Sequence, residues 1–411
     1  MRSLYNIFIS LMIFAMKVGA LFSYKLKKGL AGRRQSCDIV KEAFSPEDRV
    51  IWMHAASLGE YEQGIPVLEK LKANFPEHKI LITFFSPSGY DNVIHKTNIA
   101  DAVCYLPFDT PRWIGEFTSG FNTEIFFTVK YEYWYNLLAH LKSNNVKVYV
   151  VSALFYERQV FFQPYGGWFV KQLRRNVSWF FHQTPTSYGL ARTIRLNNSS
   201  ITGDTRFDRV KQIRDRDNFV PFVQQFKEDM SLIVLGSSWE TEEQIALLVA
   251  YHEPDVKIII APHDLSRTGT LQQLFPQAVL YSELVSGQPL REKQNVLIID
   301  CIGLLSKLYS YADVAVVGGG FHSKGLHNIL EAATFGIPVL FGNKYTKNPE
   351  ADQLLEKHGG KSFENETQAS DFLIKLLQNP AMAREMGENA AKFVSGQPDA
   401  TRLIIDKILS E

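Results

Sequence analysis

From about residue 48 onward, short β-branched and aromatic runs alternate with stretches of helical periodicity. Runs at 49–55, 79–85, 102–106, 124–129, 146–152, 179–182 and 200–202 predict strands, and 59–75, 133–143 and 168–176 predict intervening helices. Such alternation predicts a parallel sheet built of βα units. A polar, charged stretch over 211–229 then reads as a linker. A second series follows, with strands predicted at 232–236, 256–261, 278–281, 296–299, 314–317 and 338–341 and closing helices from about 366 to 410. The pattern therefore predicts two Rossmann-like domains, 38–210 and 230–411, facing each other across a cleft, with ligands at the carboxyl ends of the strands.

The 411 residues and 45% hydrophobic content suit two cores better than one. A net charge of +1 gives no global reason to expect nucleic acid. The charge is unevenly placed, however: residues 1–37 carry seven basic side chains (Arg2, Lys17, Lys25, Lys27, Lys28, Arg33, Arg34) and no acid. They flank an apolar stretch from Leu4 to Phe22, broken by Asn6 and Lys17. This segment reads as a membrane anchor that spans the bilayer or lies in its interface, with the basic cluster meeting anionic lipid on the cytoplasmic side. The three cysteines, at wide spacing, form neither a disulfide framework nor a zinc site. Cys104 and Cys301 read as small core residues.

The candidate chemistry sits where predicted strands end. Residues 318–331 form a glycine-rich turn leading into a helical pattern with Glu331. Glycines let a backbone approach phosphate, a helix start offers N–H groups, and a carboxylate one turn in can grip ribose hydroxyls. Ser57-Leu58-Gly59-Glu60 closes the first strand. It reads as a capping box, and Glu60 equally as a general base. Glu132, within Lys130-Tyr131-Glu132-Tyr133-Trp134-Tyr135-Asn136, stands at the end of the fourth strand. Arg206 in Gly203-Asp204-Thr205-Arg206 could meet an anion. In the second half, Gly236-Ser237-Ser238-Trp239 into an acidic helix start, Pro262-His263, Ile302-Gly303-Leu304 and residues 343–350 hold equivalent positions. The Asp215-Arg216-Asp217 triplet falls in the linker, so no metal or other cofactor is expected.

In order and spacing these motifs resemble the 3-deoxy-D-manno-octulosonic acid (Kdo) transferases of lipopolysaccharide synthesis. The resemblance is carried by the basic N-terminal segment, Ser57 to Glu60, Leu106-Pro107-Phe108-Asp109, Glu132-x-Trp134-x-Asn136, Gly203-Asp204-x-Arg206-Phe207-Asp208 and Gly318-Gly319 through His327-Asn328-Ile329-Leu330-Glu331. It implies an α/β fold of GT-B architecture and transfer of Kdo from CMP-Kdo to a lipid A precursor (lipid IVA) at the cytoplasmic face of the inner membrane. It also implies Glu60 as base, with Glu132 and Arg206 stabilising the transition state. CMP would contact Pro262, His263, Ile302, Gly303, Leu304, Asn328, Ile329, Leu330 and Glu331. The chain departs from the family pattern at Lys130, Tyr135, Arg206, His263 and Leu326, which bears on fine specificity. Rival readings are another membrane-attached GT-B transferase, a sugar-nucleotide epimerase, and a catalytically silent lipid- or nucleotide-binding protein.

Overall fold

The structure, a computed structural model, describes residues 1–411 apart from His95, Lys96, Glu292, Lys324 and Lys347. Lys324 of the glycine-rich turn and Lys347 of the 343–350 loop thus lie outside the described residues. The chain divides into two compact units, Met1–Arg209 with Pro398–Glu411, and Val210–Gln397.

The first unit begins with helices α1 (Arg2–Gly19) and α2 (Tyr24–Ala43). Strands β1 (Arg49–Ala55), β2 (Lys79–Phe84), β3 (Ala102–Tyr105), β4 (Asn122–Val129), β5 (Lys147–Ala153), β6 (Trp179–His182) and β7 (Ser199–Ile201) follow, with helix α3 (Leu58–Asn74) after β1. All pair in parallel, in the order β3-β2-β1-β4-β5-β6-β7. Val50 through Met53 are buried in succession, because a parallel sheet is covered on both faces. The order turns between β1 and β4. Loops leaving those two strands therefore diverge to opposite faces and open a crevice, the usual place for a ligand in such sheets.

The second unit repeats the plan with β8 (Leu232–Ser238), β9 (Lys257–Pro262), β10 (Val279–Leu280), β11 (Val296–Ile298), β12 (Val314–Val317), β13 (Val339–Gly342) and β14 (Gly360–Phe363). Its parallel order is β10-β11-β9-β8-β12-β13-β14, turning between β8 and β12.

Several expectations change. Among the described residues no helix is long and apolar enough to cross a membrane, so a spanning anchor is set aside. Residues 1–37 do not form a separate segment either. Val40 and Ser36 of α2 are fully buried, Arg33 is 6% exposed, and Ile9 of α1 is 1% exposed. The helix Thr205–Asp215 runs into the expected linker, and Val210 already belongs to the second unit. The last helix, Ala400–Leu409, returns to the first unit, where Ile404, Ile405 and Ile408 join Tyr61, Ile65 and Leu68 of α3 in one core. Cys104 is buried as expected, but Cys301 is exposed, because it follows β11 in a loop.

Candidate functional site

At the turn of the first sheet, β1 delivers His54 and the start of α3, while β4 delivers residues 130–134. Glu60 completes the capping box: its Oε2 accepts from the Ser57 main-chain N–H at 3.0 Å and lies 3.4 Å from the Ser57 hydroxyl. The carboxylate is only 6% exposed. Burial, and then the negative charge of Glu132, raise its pKa above the ordinary glutamate value. Lys130, the Ala56 main-chain N–H and His54 oppose that rise. A carboxylate held this way is a better proton acceptor near neutrality than a solvated one. Capping and proton-accepting roles are thus compatible in one side chain.

Glu132 is fixed by its neighbours. The Trp134 indole N–H donates to its Oε2 at 3.0 Å, and His54 Nε2 stands 3.9 Å from the same oxygen. His54 is fully buried, with Nδ1 3.0 Å from the Thr83 hydroxyl on β2. Trp134 in turn stacks on Phe85 at 5.2 Å, and the Arg33 guanidinium lies 4.6 Å from the centre of the Phe85 ring. Lys130 takes φ +64°, a left-handed conformation that turns the chain sharply out of β4. Its charge is felt at Glu60.

Arg206 lies on a separate arm. Its Nε and Nη2 donate to Asp204 Oδ2 at 2.8 and 2.7 Å, and Gln63, one turn after Glu60 on α3, donates to Asp204 Oδ1 at 2.9 Å. Burial alone would raise the Asp204 pKa, but Arg206 and these hydrogen bonds hold it below the usual value. The guanidinium therefore comes with a counter-charge, which the sequence already carried two residues earlier.

In the second unit the loops after β8, β9 and β12 converge. His263, following Pro262 at the end of β9, stacks on Trp239 at 4.5 Å and lies 4.7 Å from His327, while His322 meets Trp239 edge-on at 4.6 Å. Burial, with His263 and His322 adding to it, pushes His327 down to about 4, so its ring is neutral at physiological pH. The glycine-rich turn is held from below by Glu242, fully buried, whose Oε1 accepts from the Gly319 N–H at 3.0 Å. Gly319 has φ +89°, and a Cβ there would come 2.3 Å from the Gly325 carbonyl oxygen, so no other residue fits. Burial lifts Glu242 to about 7.

Asn328 links to Glu331 through Nδ2 to Oε1 at 3.0 Å and caps the Leu330 N–H at 3.1 Å. The expected helix after this turn is one turn long, Leu330–Ala333. Ile329 and Leu330 are fully buried core residues, so a ligand could meet only their main chain. Gly303 makes a left-handed turn at φ +103° beside Ile302, which is 70% exposed. Trp239, His322, Glu242 and Arg33 were not singled out from sequence as site residues. Trp239 and Glu242 stood in one candidate motif and His322 in another, and only the fold brings Trp239 against His263. Among the described residues, no three His, Cys, Asp or Glu side chains converge as metal ligands.

Two parallel seven-stranded units, each with a switch point in its strand order, fit a GT-B architecture. The fold matches that of the UDP-GlcNAc 2-epimerase from Neisseria meningitidis at a TM-score of 0.61 and 17% identity, over 88% of this chain and 100% of that one. A family model described as 3-deoxy-D-manno-octulosonic-acid transferase (kdotransferase) matches residues 30–209. The 3-deoxy-D-manno-octulosonic acid transferase of Aquifex aeolicus is 26% identical over 82% of this chain and 88% of its own. A bifunctional glycosyltransferase/methyltransferase of Fusobacterium nucleatum is also 26% identical, over 78% of this chain, which spans about half (51%) of that longer protein. The chain is a glycosyltransferase, similar over most of its length to Kdo transferases and matching their family model over residues 30–209.

Proposed function

We propose that the protein transfers Kdo from CMP-Kdo to a lipid A precursor in lipopolysaccharide synthesis, by a single inverting displacement with Glu60 as base. The observation that carries this is the buried Glu60, its pKa raised by burial and by Glu132, at the switch point of the first sheet. Kdo's anomeric carbon bears no hydrogen, so its bond to the CMP phosphate breaks toward an oxocarbenium-like centre. The acceptor hydroxyl forms the new C–O bond as Glu60 takes its proton, and CMP leaves with the bonding pair. Glu132, held by Trp134, contributes negative charge beside that centre, where positive charge develops. Arg206, paired to Asp204, would act through directed N–H groups more than through net charge.

In this reading the second unit holds the nucleotide. The His263–Trp239 pair offers a flat surface for the base, the 318–320 turn its main-chain N–H groups for phosphate, and Asn328 with Glu331 a grip on the ribose. Glu331→Ala is then expected to weaken CMP binding roughly tenfold, the scale of one lost charge-assisted hydrogen bond. Calorimetry with CMP checks it, and unchanged affinity would remove Glu331 from the site. With dipoles and side chains placed around a single departing phosphate, turnover should persist in EDTA. A Mg²⁺ requirement that metal restores would sink that step.

The α1 helix turns Leu4, Ile7, Phe8, Leu11, Phe14 and Val18 outward, all more than 40% exposed and on one helical face. We read it as lying in the cytoplasmic interface of the inner membrane, where the acceptor lipid is. Incubating purified protein with CMP-Kdo and a tetraacylated lipid A precursor, and reading the product by mass spectrometry, tests the whole assignment. Failure with CMP-Kdo but transfer from another nucleotide sugar would favour a different GT-B specificity.

A further inference from the structure

A groove of about 500 Å³ lies in the first unit between the helices Tyr135–Ser143 and Gly167–Asn176, with Arg2 of α1 at its rim. Its lining includes Arg2, Lys142, Arg175 and Gln172 and no acidic residue. Among the described residues, none of the three cations has a carboxylate within ion-pair distance. The groove has a second feature. Asn176 also lines it, is only 2% exposed, and its Nδ2 has no hydrogen-bond partner. A buried amide donor left unpaired costs about 1–3 kcal/mol, and the Asn136 Oδ1 in the same lining is likewise buried without a partner. His140, in the same lining, has its pKa lowered by burial and sits 2.7 Å from the Thr118 hydroxyl, so it adds a neutral polar edge and no charge.

The position matters as much as the charge. Arg2 belongs to the same helix whose opposite side carries the exposed apolar row. A helix lying in the interface sinks its apolar face about 5–10 Å into the headgroup and acyl boundary. A helix with side chains is only about 10–12 Å across, so its protein-facing side then stands at headgroup depth. Arg2, at the start of α1, is part of the groove's lining, which ties that rim to this side of the helix. Three cations without carboxylates, and the place of Arg2 at the start of α1, call for a phosphate on a lipid.

We propose that this groove is a binding site for the phosphate headgroup of an anionic phospholipid, which orients the first unit on the bilayer. The inference rests on the reading of α1 as an interfacial helix. It adds a site to that reading: the apolar row supplies depth, and the groove supplies selectivity for anionic lipid.

Flotation of the full chain with phosphatidylcholine vesicles, with and without phosphatidylglycerol, tests it. The double variant Lys142→Ser/Arg175→Ser should lose about 25-fold in partitioning to phosphatidylglycerol vesicles, about fivefold per basic residue near an anionic surface, and little on phosphatidylcholine alone. Lys357→Ser/Lys375→Ser, which removes the same charge from exposed positions of the second unit, should lose much less. Equal losses in both double variants would mean bulk charge and overturn the site. Asn176→Asp, which places a carboxylate in the groove, should also weaken phosphatidylglycerol binding, and its melting temperature reports separately on folding.

Other arms separate the alternatives. Saturable binding of inorganic phosphate, lost in the double variant while vesicle binding is kept, would assign the groove to a free anion and overturn the lipid assignment. Transfer to acceptor in detergent should be unchanged in the double variant, and a loss there equal to that on bilayers would assign the groove to the acceptor instead. Phe8→Ser/Phe14→Ser distinguishes the underlying reading. If it leaves vesicle binding intact, the interfacial helix fails. If it abolishes binding while the groove variant keeps full preference for phosphatidylglycerol, only the groove inference fails.

Discussion

Glu60→Gln is expected to lower kcat by about 10²–10⁴-fold while leaving CMP affinity and the melting temperature close to those of the parent. The substitution separates the two roles of this side chain. Glutamine still completes a capping box at the third helical position, so the start of α3 keeps its Ser57 hydrogen bond. What disappears is the ability to accept a proton. A variant that is folded and retains most of its turnover would leave Glu60 as a helix cap only.

The pH profile gives an independent check with a definite sign. Glu60 works as the anion, so activity falls as pH drops through its pKa. Burial and Glu132 raise that pKa, and the acid limb of kcat/KM should therefore lie above the ordinary glutamate range. Glu132→Gln removes the second of those causes. Its residual activity should show the limb displaced to lower pH, whatever the loss in absolute rate. A limb that stays in place would mean the two carboxylates are not coupled in the working enzyme. Removing Lys130's charge, which opposes the rise, should displace the limb the other way.

Much of this arrangement was legible in the chain because parallel sheets announce themselves as fully apolar runs. The strands 49–55, 179–182 and 314–317 are found where the pattern predicts them. Once the order of strands is known, the switch points put Glu60 beside Glu132, and Trp239 beside the 318–331 turn. That order is not written in local periodicity. Strand β14, Gly360–Phe363, escaped notice because an edge strand needs only one residue at each end buried, and its middle is Lys361-Ser362. Arg206 reads from the sequence as a cation for an anion, and the fold pairs it with Asp204, a pairing that spacing alone leaves open. Arg33 was the larger surprise. Within a run of basic residues it looks lipid-facing, whereas Phe85, Tyr105 and Phe108 close around it from distant parts of the chain.

That burial sets the second large effect: removing residues 1–37 should abolish folding, whereas removal ending before Ser23 should not. The shorter deletion takes α1, whose ties to the body include Ile9, the Tyr5 hydroxyl donating to Asp109 at 2.6 Å, the Asn136 amide donating to Asn6 Oδ1 at 2.9 Å and the Tyr5 ring against Tyr135 and Trp168. Asp109 keeps the main-chain N–H groups of Asn136 and Leu137 at 2.9 and 2.8 Å. The longer deletion removes the part of α2 that walls the β3 side of the sheet. There Gly32 lies so close to the Tyr105 ring that a Cβ would come within 2.3 Å. Arg33 donates to the Gly29 and Phe85 carbonyls under three aromatic rings. A desolvated cation–π contact is worth about 2 kcal/mol, and a charged hydrogen bond about 1.5–3 kcal/mol. Losing this helix would therefore take most of the roughly 5–15 kcal/mol that holds an ordinary domain together. Arg33→Met isolates one side chain at similar volume and should cost about 3 kcal/mol in urea denaturation. It should also lower kcat in the folded fraction without changing CMP affinity, because Phe85 no longer seats Trp134 and Trp134 orients Glu132. A truncated protein lacking residues 1–37 that unfolds cooperatively at the parent's urea midpoint would show that α2 is dispensable and that Arg33 seats nothing.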